Sequence, residues 1–273
     1  MSLLTLSRFT GNDPHYIYPV TIFRSSIIWW SILIVVVWLM PVAFTTVDSG
    51  SKLAVTAWFI SATGGKYGTL GLVILACLFY TRLVEDPSQK IKTFVRSLAT
   101  LLLTLGLFAW INEHLIKEEL KIHRPSHHYV LSQLSPGFDE NYFYTFESSR
   151  RKEIMDSIVH VNLHQLKGID PIVLDHWIDE SGYSFPSGHS FNSFLVAAIL
   201  AFSMKYSRSR TARRFYLAPY FWAVLVATSR VTIGAHSPLD VSFGAATGLL
   251  IGNLLLYFEP SRNIIMHRQY DAS

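Results

Sequence analysis

Charge is what this chain has little of. Asp, Glu, Lys and Arg make up 15% of its 273 residues, against roughly 25% in ordinary soluble domains. Half the residues are hydrophobic, and the missing charge is concentrated in long apolar runs. Cysteine is nearly absent too: the single Cys77 excludes an intrachain disulfide and reads as a small buried hydrophobe. No block of five or six like charges exists, and the net charge is only +4, so a nucleic-acid partner is not expected. There is no internal repeat or low-complexity tract, and no cluster of carboxylates suited to a hard divalent ion. The first apolar run is not expected to be a cleaved leader. Ser25 to Thr46 runs 22 positions without a charge, starts late and lacks a following small-residue cleavage site. About 20 apolar residues cross a bilayer core, so this run reads as a retained membrane anchor.

What is present is a series of further apolar runs. With the first at 25–46, they lie at 67–83, 97–115, 189–204, 215–229 and 241–258. Six spans put both termini on one side. If that side is cytoplasmic, the inner segments hold Arg8, Arg24, Arg82, Lys90, Lys92, Arg96, Lys205, Arg208, Arg210, Arg213, Arg214, Arg262 and Arg268, more than half of the 23 basic residues. Only Lys52 and Lys66 fall in a short outer loop, so the positive-inside rule favours cytoplasmic termini. The predicted fold is an all-α polytopic membrane protein, one domain over 1–273, with six transmembrane helices and a small helical extracytoplasmic cap over 118–188. Within the cap, Ile154, Met155, Ile158, Val159 and Leu166 approximate one helical face. Asp170-Pro171 is an N-cap followed by proline at the first helical position, and Gly182 a C-terminal stop. Leu53–Thr63 reads as a short interfacial or dipping helix.

Three separated polar segments meet at the outer face of this topology. "KEELKIHRP" starts at Lys117, where the third span emerges, and reaches Arg124-Pro125. Pro186-Ser187-Gly188-His189 opens the fourth span, and "SRVTIGAHSPLD" runs from Ser229-Arg230 through His236 to Asp240, where the sixth enters. Three permanent cations, two imidazoles, one carboxylate and a glycine-containing turn at a helix start suit a multiply charged phosphate. Arginine offers a planar fork to phosphate oxygens and lysine a point charge. Backbone N–H groups of Ser187, Gly188 and His189 at a helix start attract an anion. His236 is followed four residues later by Asp240, a spacing that brings a carboxylate to the imidazole Nδ1–H and leaves Nε2 as an attacking lone pair. A phosphohistidine intermediate would follow, with His189 as the acid for the leaving oxygen. The cations supply the countercharge a metal would give, so no metal or other cofactor is expected.

The pattern K-x6-RP, PSGH, SR-x5-H-x3-D resembles the type-2 phosphatidic acid phosphatase superfamily, matched at every fixed position. The resemblance implies a six-span bundle with its site at the non-cytoplasmic edge, and the roles nucleophile for His236, orienting carboxylate for Asp240 and acid for His189. It makes Lys117, Arg124, Ser187, Gly188 and Arg230 phosphate ligands. The loop ending "LDHWIDESGYSFPSGHS" is similar to the bacterial phosphatidylglycerophosphatase B group, whose substrates are phosphatidylglycerol phosphate, undecaprenyl diphosphate and phosphatidate. That implies a multi-pass protein of the bacterial inner membrane, acting on a lipid phosphate at the periplasmic face, without an obligate protein partner. The same scaffold would also serve a phosphotransferase using undecaprenyl diphosphate as donor, or a non-enzymatic transporter or scaffold for lipid headgroups.

Plainer readings apply elsewhere. His123, His127 and His128 are read as a solvated loop, and His160, His164 and His176 as cap surface. Asn112, Glu113 and His114 are expected to hydrogen-bond inside the bundle. "FDENYFYTF" packs the cap or touches lipid tails, and the tryptophans belong to interface belts and packing. Gly244, Gly248 and Gly252 form a small-residue stripe for close helix contact.

Overall fold

A computed structural model describes residues 14–40 and 52–258. The end of the first expected span, 41–46, and the basic residues Arg8, Arg262 and Arg268 lie outside the described residues. Every regular element among those described is a helix. In chain order these are α1 (Pro14–Leu39), α2 (Lys52–Thr63), α3 (Lys66–Thr81) and α4 (Pro87–Ile111), which passes through a π-turn, Asn112–Ile116, into α5 (Lys117–Leu120). The cap follows as α6 (Pro125–Leu134), α7 (Glu140–Thr145), α8 (Ser148–Val161) and α9 (Pro171–Asp179). The chain then returns through α10 (Gly188–Lys205), α11 (Arg210–Arg214), α12 (Ala218–Thr232) and α13 (Pro238–Phe258).

Among the described residues, three stretches are long and apolar enough to cross a bilayer: Thr21–Leu39, Pro87–Leu120 and Pro238–Phe258. The α2–α3 pair, bent by 52°, makes a fourth if it is one broken span. By length and composition the described helices therefore supply three or four crossings, against the six expected. The shortfall has a physical cause. α12 has 15 residues, about 22 Å at 1.5 Å per residue, where the hydrocarbon core is about 30 Å thick. α10 has 18 residues but carries serines and a histidine, and it is buried on nearly every side by other helices.

α10 is the axis of the bundle, with α13 lying along it. A Cβ on Gly244 would overlap the Ser187 carbonyl oxygen, and one on Gly248 the Phe191 carbonyl oxygen. At Gly252 a Cβ would stand 3.1 Å from Ala198 Cβ. The glycine stripe is thus a contact between backbones, as expected. α1 is tied across the bundle by polar bonds: Trp30 Nε1 donates to the Ser242 carbonyl at 2.9 Å, and Ser26 Oγ meets the Tyr220 hydroxyl at 2.9 Å. Cys77 is buried beside Val73, Ala76, Phe191 and Leu195. Outward, Ile28, Val35, Leu103, Leu107, Phe221 and Leu250 leave apolar surface exposed, the face a lipid would cover.

The cap's core continues into the end of the bundle. Val130, Leu131, Phe143, Tyr144, Met155, Val159, Leu166, Leu174 and Trp177 pack with Ala54 and Ala57 of α2 and Ile233 and Ala235 after α12. Trp177 Nε1 donates to the Ile233 carbonyl at 2.6 Å, so α9 is anchored to the α12–α13 turn. Asp170 accepts from the Ile172 amide at 3.0 Å with Pro171 at the first helical position, the N-cap read from sequence. Of "FDENYFYTF", Phe143 and Tyr144 point inward and Tyr142 is exposed.

Candidate active site

The first polar segment reaches the site through two backbone irregularities. The π-turn ahead of Lys117 lets α4 continue while widening by one residue, a feature often found near functional positions. Lys117 is buried and its Nζ lies 2.5 Å from Glu113 Oε1. Lys121 then takes a left-handed conformation, φ 48°, which ends α5 and turns the chain back. Arg124 follows, buried, at the entry to α6. Its backbone N–H donates to the Tyr144 hydroxyl at 2.9 Å, its Nε to the Gly182 carbonyl at 2.8 Å and its Nη1 to the Ala235 carbonyl at 2.9 Å.

The second and third segments are stitched together. The Ser187 amide donates to the Asp240 carbonyl at 3.1 Å, which sets the starts of α10 and α13 side by side. Ser187 Oγ accepts from the Ser190 amide at 3.4 Å as the α10 cap. Around Gly188 nothing stands within 4 Å of where a Cβ would be, so its backbone faces open space. His189 is half-buried, and a Cβ on Gly65, at the α2–α3 break, would lie 3.3 Å from its Nε2. It is also near enough to Arg230, Glu180 and His236 to interact with their charges. His236 is reached through a turn in which Gly234 has φ 70° and the Ala235 and His236 amides donate to the Arg230 carbonyl. Its Nδ1 stands 3.5 Å from Asp240 Oδ2, which accepts from the Ser237 amide at 2.7 Å. The carboxylate is beside the imidazole, as the spacing predicts, but its short bond goes to Ser237.

The largest departure from expectation lies between the arginines. Glu180, at the C-terminal end of α9, has Oε2 2.6 Å from Arg124 Nη1 and Oε1 2.7 Å from Arg230 Nη2. Arg230, wholly buried, also donates through Nη1 to Ser61 Oγ of α2 and to His176 Nε2, both at 2.9 Å. Burial alone would raise the Glu180 carboxyl, but the two guanidiniums outweigh it and hold it well below the usual range. Burial, reinforced by Arg230, pushes His176 down to about 4, so at neutral pH it is an acceptor. His176 is therefore not cap surface. His127 departs similarly: it is buried, paired with the Tyr144 hydroxyl at 2.7 Å and pushed to about 3 by burial and Arg124. His123 stacks on Tyr144, ring centroids 4.0 Å apart, while His128 stays exposed and meets Glu140 at 2.8 Å. His160 and His164 are exposed as expected. Of Asn112, Glu113 and His114, only Asn112 is buried. Among the described residues no group of three His, Cys, Asp or Glu is placed to hold a metal ion.

The sequence held a usable signal for the missed pair. α9 buries Val173, Leu174, Trp177 and Ile178, and His176 and Glu180, four apart, lie next to that stripe. Ser61 gave none, because its role depends on how α2 packs on α12.

The family model for the PAP2 superfamily matches residues 97–264, more than half the chain. The chain belongs to the PAP2 superfamily. The PAP2 match takes in Lys117 and Arg124, the Pro186–His189 turn, Arg230, His236 and Asp240, while Ser61 and Gly65 lie ahead of it. Phosphatidylglycerophosphatase B of Haemophilus influenzae is 26% identical over 216 residues, covering 77% of this chain and 83% of that protein. The Escherichia coli K12 protein of the same name is 25% identical over 208 residues, 76% of each chain. A shorter match, 37% over 101 residues, covers 32% of this chain and 50% of phosphatidylglycerophosphatase B of Bacillus subtilis.

Proposed function

We propose that this chain is an integral membrane lipid phosphatase, one membrane-embedded domain over 1–273 whose helices cross the bilayer six times with both termini in the cytoplasm. In this reading the broken α2–α3 pair, α10 and the short α12 count as crossings, their ends covered by cap and loops. The site opens at the periplasmic side of a bacterial inner membrane, and a lipid enters sideways with its tails in the bilayer. Family membership and the phosphatidylglycerophosphatase B relatives support a phosphatase. The observation that carries the site assignment is two buried guanidiniums, Arg124 and Arg230, converging on one anion beside the start of α10. That anion is the Glu180 carboxylate, and two guanidiniums so placed also suit the oxygens of a phosphate.

In the mechanism, Arg124, Arg230, Lys117, the Ser187 hydroxyl and the Gly188 N–H hold the phosphate oxygens, the Ser187 amide that the sequence offered as a donor being spent on the Asp240 carbonyl. His236 Nε2 attacks phosphorus and forms the N–P bond as the bond to the leaving oxygen breaks; His189 gives that oxygen its proton. Water then attacks the phosphohistidine, His189 takes the water's proton, and phosphate departs. Asp240 stabilises the imidazolium: closing its 3.5 Å separation from Nδ1 by about 0.5 Å makes the bond. The proposed substrates are phosphatidylglycerol phosphate, undecaprenyl diphosphate and phosphatidate.

Phosphate release by purified protein from that lipid panel, each lipid alone and in excess chelator, tests the reading. Release from at least one lipid is expected without added metal, with His236→Ala losing all but about a thousandth. No release without an acceptor lipid would mark a phosphotransferase, and unimpaired function of the alanine variant a headgroup-binding protein. Activity lost to chelator and restored by magnesium would end the metal-free mechanism.

A further inference from the structure

The two arginines that would hold the substrate already have an anion. Glu180 spans them, one oxygen to each guanidinium at 2.6 and 2.7 Å, and it is supplied by the cap. Both arginines are buried, and Arg230 Nε has no protein partner. A buried cation without a counterion is strongly destabilising, so a carboxylate here keeps the unliganded site stable. It also stands where a ligand's phosphate must go.

Resting on the phosphatase reading above, we propose that Glu180 is a specificity-determining residue, which excludes singly charged phosphodiester headgroups and yields only to phosphomonoester or diphosphate groups. The reason is an exchange of like for like. A phosphodiester carries one negative charge on two free oxygens, as a carboxylate does. Glu180 is tethered, with an effective concentration in the millimolar range or above, so an equally charged competitor gains nothing by displacing it. A phosphomonoester brings about −1.5 to −2 charges and three free oxygens. Its extra oxygen and charge find the unused donor Arg230 Nε, the open backbone at Gly188 and the ammonium of Lys117. Glu180 bonds Arg124 Nη1 and Arg230 Nη2, so it hydrogen-bonds none of these three donors. A protein immersed in diester lipids needs this discrimination, because bulk headgroups would otherwise fill the cradle. A product that is itself a diester would be released for the same reason. The exit of Glu180 is local: it ends α9, its side chain is 22% exposed, and Ser181-Gly182 follow.

The test uses full-length protein in phosphatidylcholine mixed micelles, with phosphatidate hydrolysis as reporter. Short-chain phosphatidylglycerol is the singly charged competitor and inorganic phosphate the multiply charged one. Against wild type, phosphatidylglycerol should inhibit weakly. In Glu180→Gln its inhibition constant should fall about tenfold or more, with a smaller change for phosphate, so that the ratio of the two collapses. An unchanged or weaker phosphatidylglycerol effect in that variant overturns the proposal. If Glu180→Gln loses its fold by thermal unfolding, Glu180→Asp decides. It keeps the charge with a shorter reach, its phosphatidylglycerol constant should still fall severalfold, and a wild-type value overturns the proposal. A wild-type protein that hydrolyses nothing in the lipid panel sinks the phosphatase reading instead. Thermal-shift titrations with the same two competitors then still read Glu180's selectivity, and equal affinities in wild type overturn it.

Discussion

Gly244→Ala adds one carbon at the point where α10 and α13 touch nearest the site. That carbon would overlap the Ser187 carbonyl oxygen, with Ser190 Cβ at 3.2 Å. The oxygen cannot move alone: it accepts from the Phe191 amide at 3.1 Å, while the Ser187 amide donates to Asp240 at 3.1 Å. Relief means parting the helix starts. Overpacking of this kind costs about 1–3 kcal/mol, offset by about 0.5–1 kcal/mol from replacing glycine inside a helix. With a backbone oxygen as the clashing atom the upper end of that cost applies, and a net loss of about 2 kcal/mol should lower the thermal midpoint in detergent by a few degrees. Activity should suffer more, because the displacement carries Gly188 and His189 away from Asp240. A tenfold or greater fall in kcat/KM is expected, equivalent to about 1.4 kcal/mol of transition-state stabilisation. Gly106→Ala, where an added carbon meets nothing within 4 Å, controls for composition and should be neutral or slightly stabilising. Gly252→Ala, whose carbon would lie 3.1 Å from Ala198 Cβ, should affect stability without a specific loss of turnover, being two turns deeper along α13. If Gly244→Ala folds and turns over like Gly106→Ala, the close contact does not hold the turn.

Asp240→Asn should lower kcat by a factor of about 100 or more with KM little changed, because the asparagine can still accept from the Ser237 amide but no longer stabilises an imidazolium on His236. Steady-state kinetics separate the two constants, and a rise in KM at constant kcat would contradict the assigned role. Acid should destabilise the cap before it protonates carboxylates. His127 and His176 fall to about 3 and about 4 when folded, below the ordinary 6.5, so the unfolded chain binds their protons first. Their contribution is complete above about pH 6.5 and is lost as pH falls, each removing about 1.4 kcal/mol per pH unit while only the unfolded form is protonated. Glu180 is shifted below its usual 4.5, so its contribution is lost only at lower pH and does not enter between 6.5 and 4.5. His127 faces Arg124, Arg151 and Glu180. Thermal midpoints should drop from pH 7 to pH 5, less steeply in His127→Phe, and a flat wild-type profile would refute the burial argument.

What could be read from sequence was what local geometry sets. His236 and Asp240 are one helical turn apart at the start of α13, and Ser187-Gly188-His189 open α10, so their proximity follows from spacing and helix order. The glycine stripe at Gly244, Gly248 and Gly252 follows from a period of four. Crossings were harder to count because each irregular one fails for its own reason: α12 is short, α10 is surrounded by protein, and α2–α3 is broken at Gly64-Gly65. Packing alone decides the histidines; His127 looks like its solvated neighbour His128 until Phe143 and Tyr144 fold over it. Glu180 is the sharpest instance. Its partner Arg230 lies 50 residues away, and its other partner sits on the opposite side of the cap in sequence. Only the docking of α9 through Trp177 on the Ile233 carbonyl brings the carboxylate between them. A cationic cradle can be inferred from residue spacing and helix order, whereas the anion that occupies it at rest comes from a helix whose own sequence does not say which cations it will meet. The charge a ligand must bring is therefore a property of the cap's packing as much as of the phosphate-binding residues themselves.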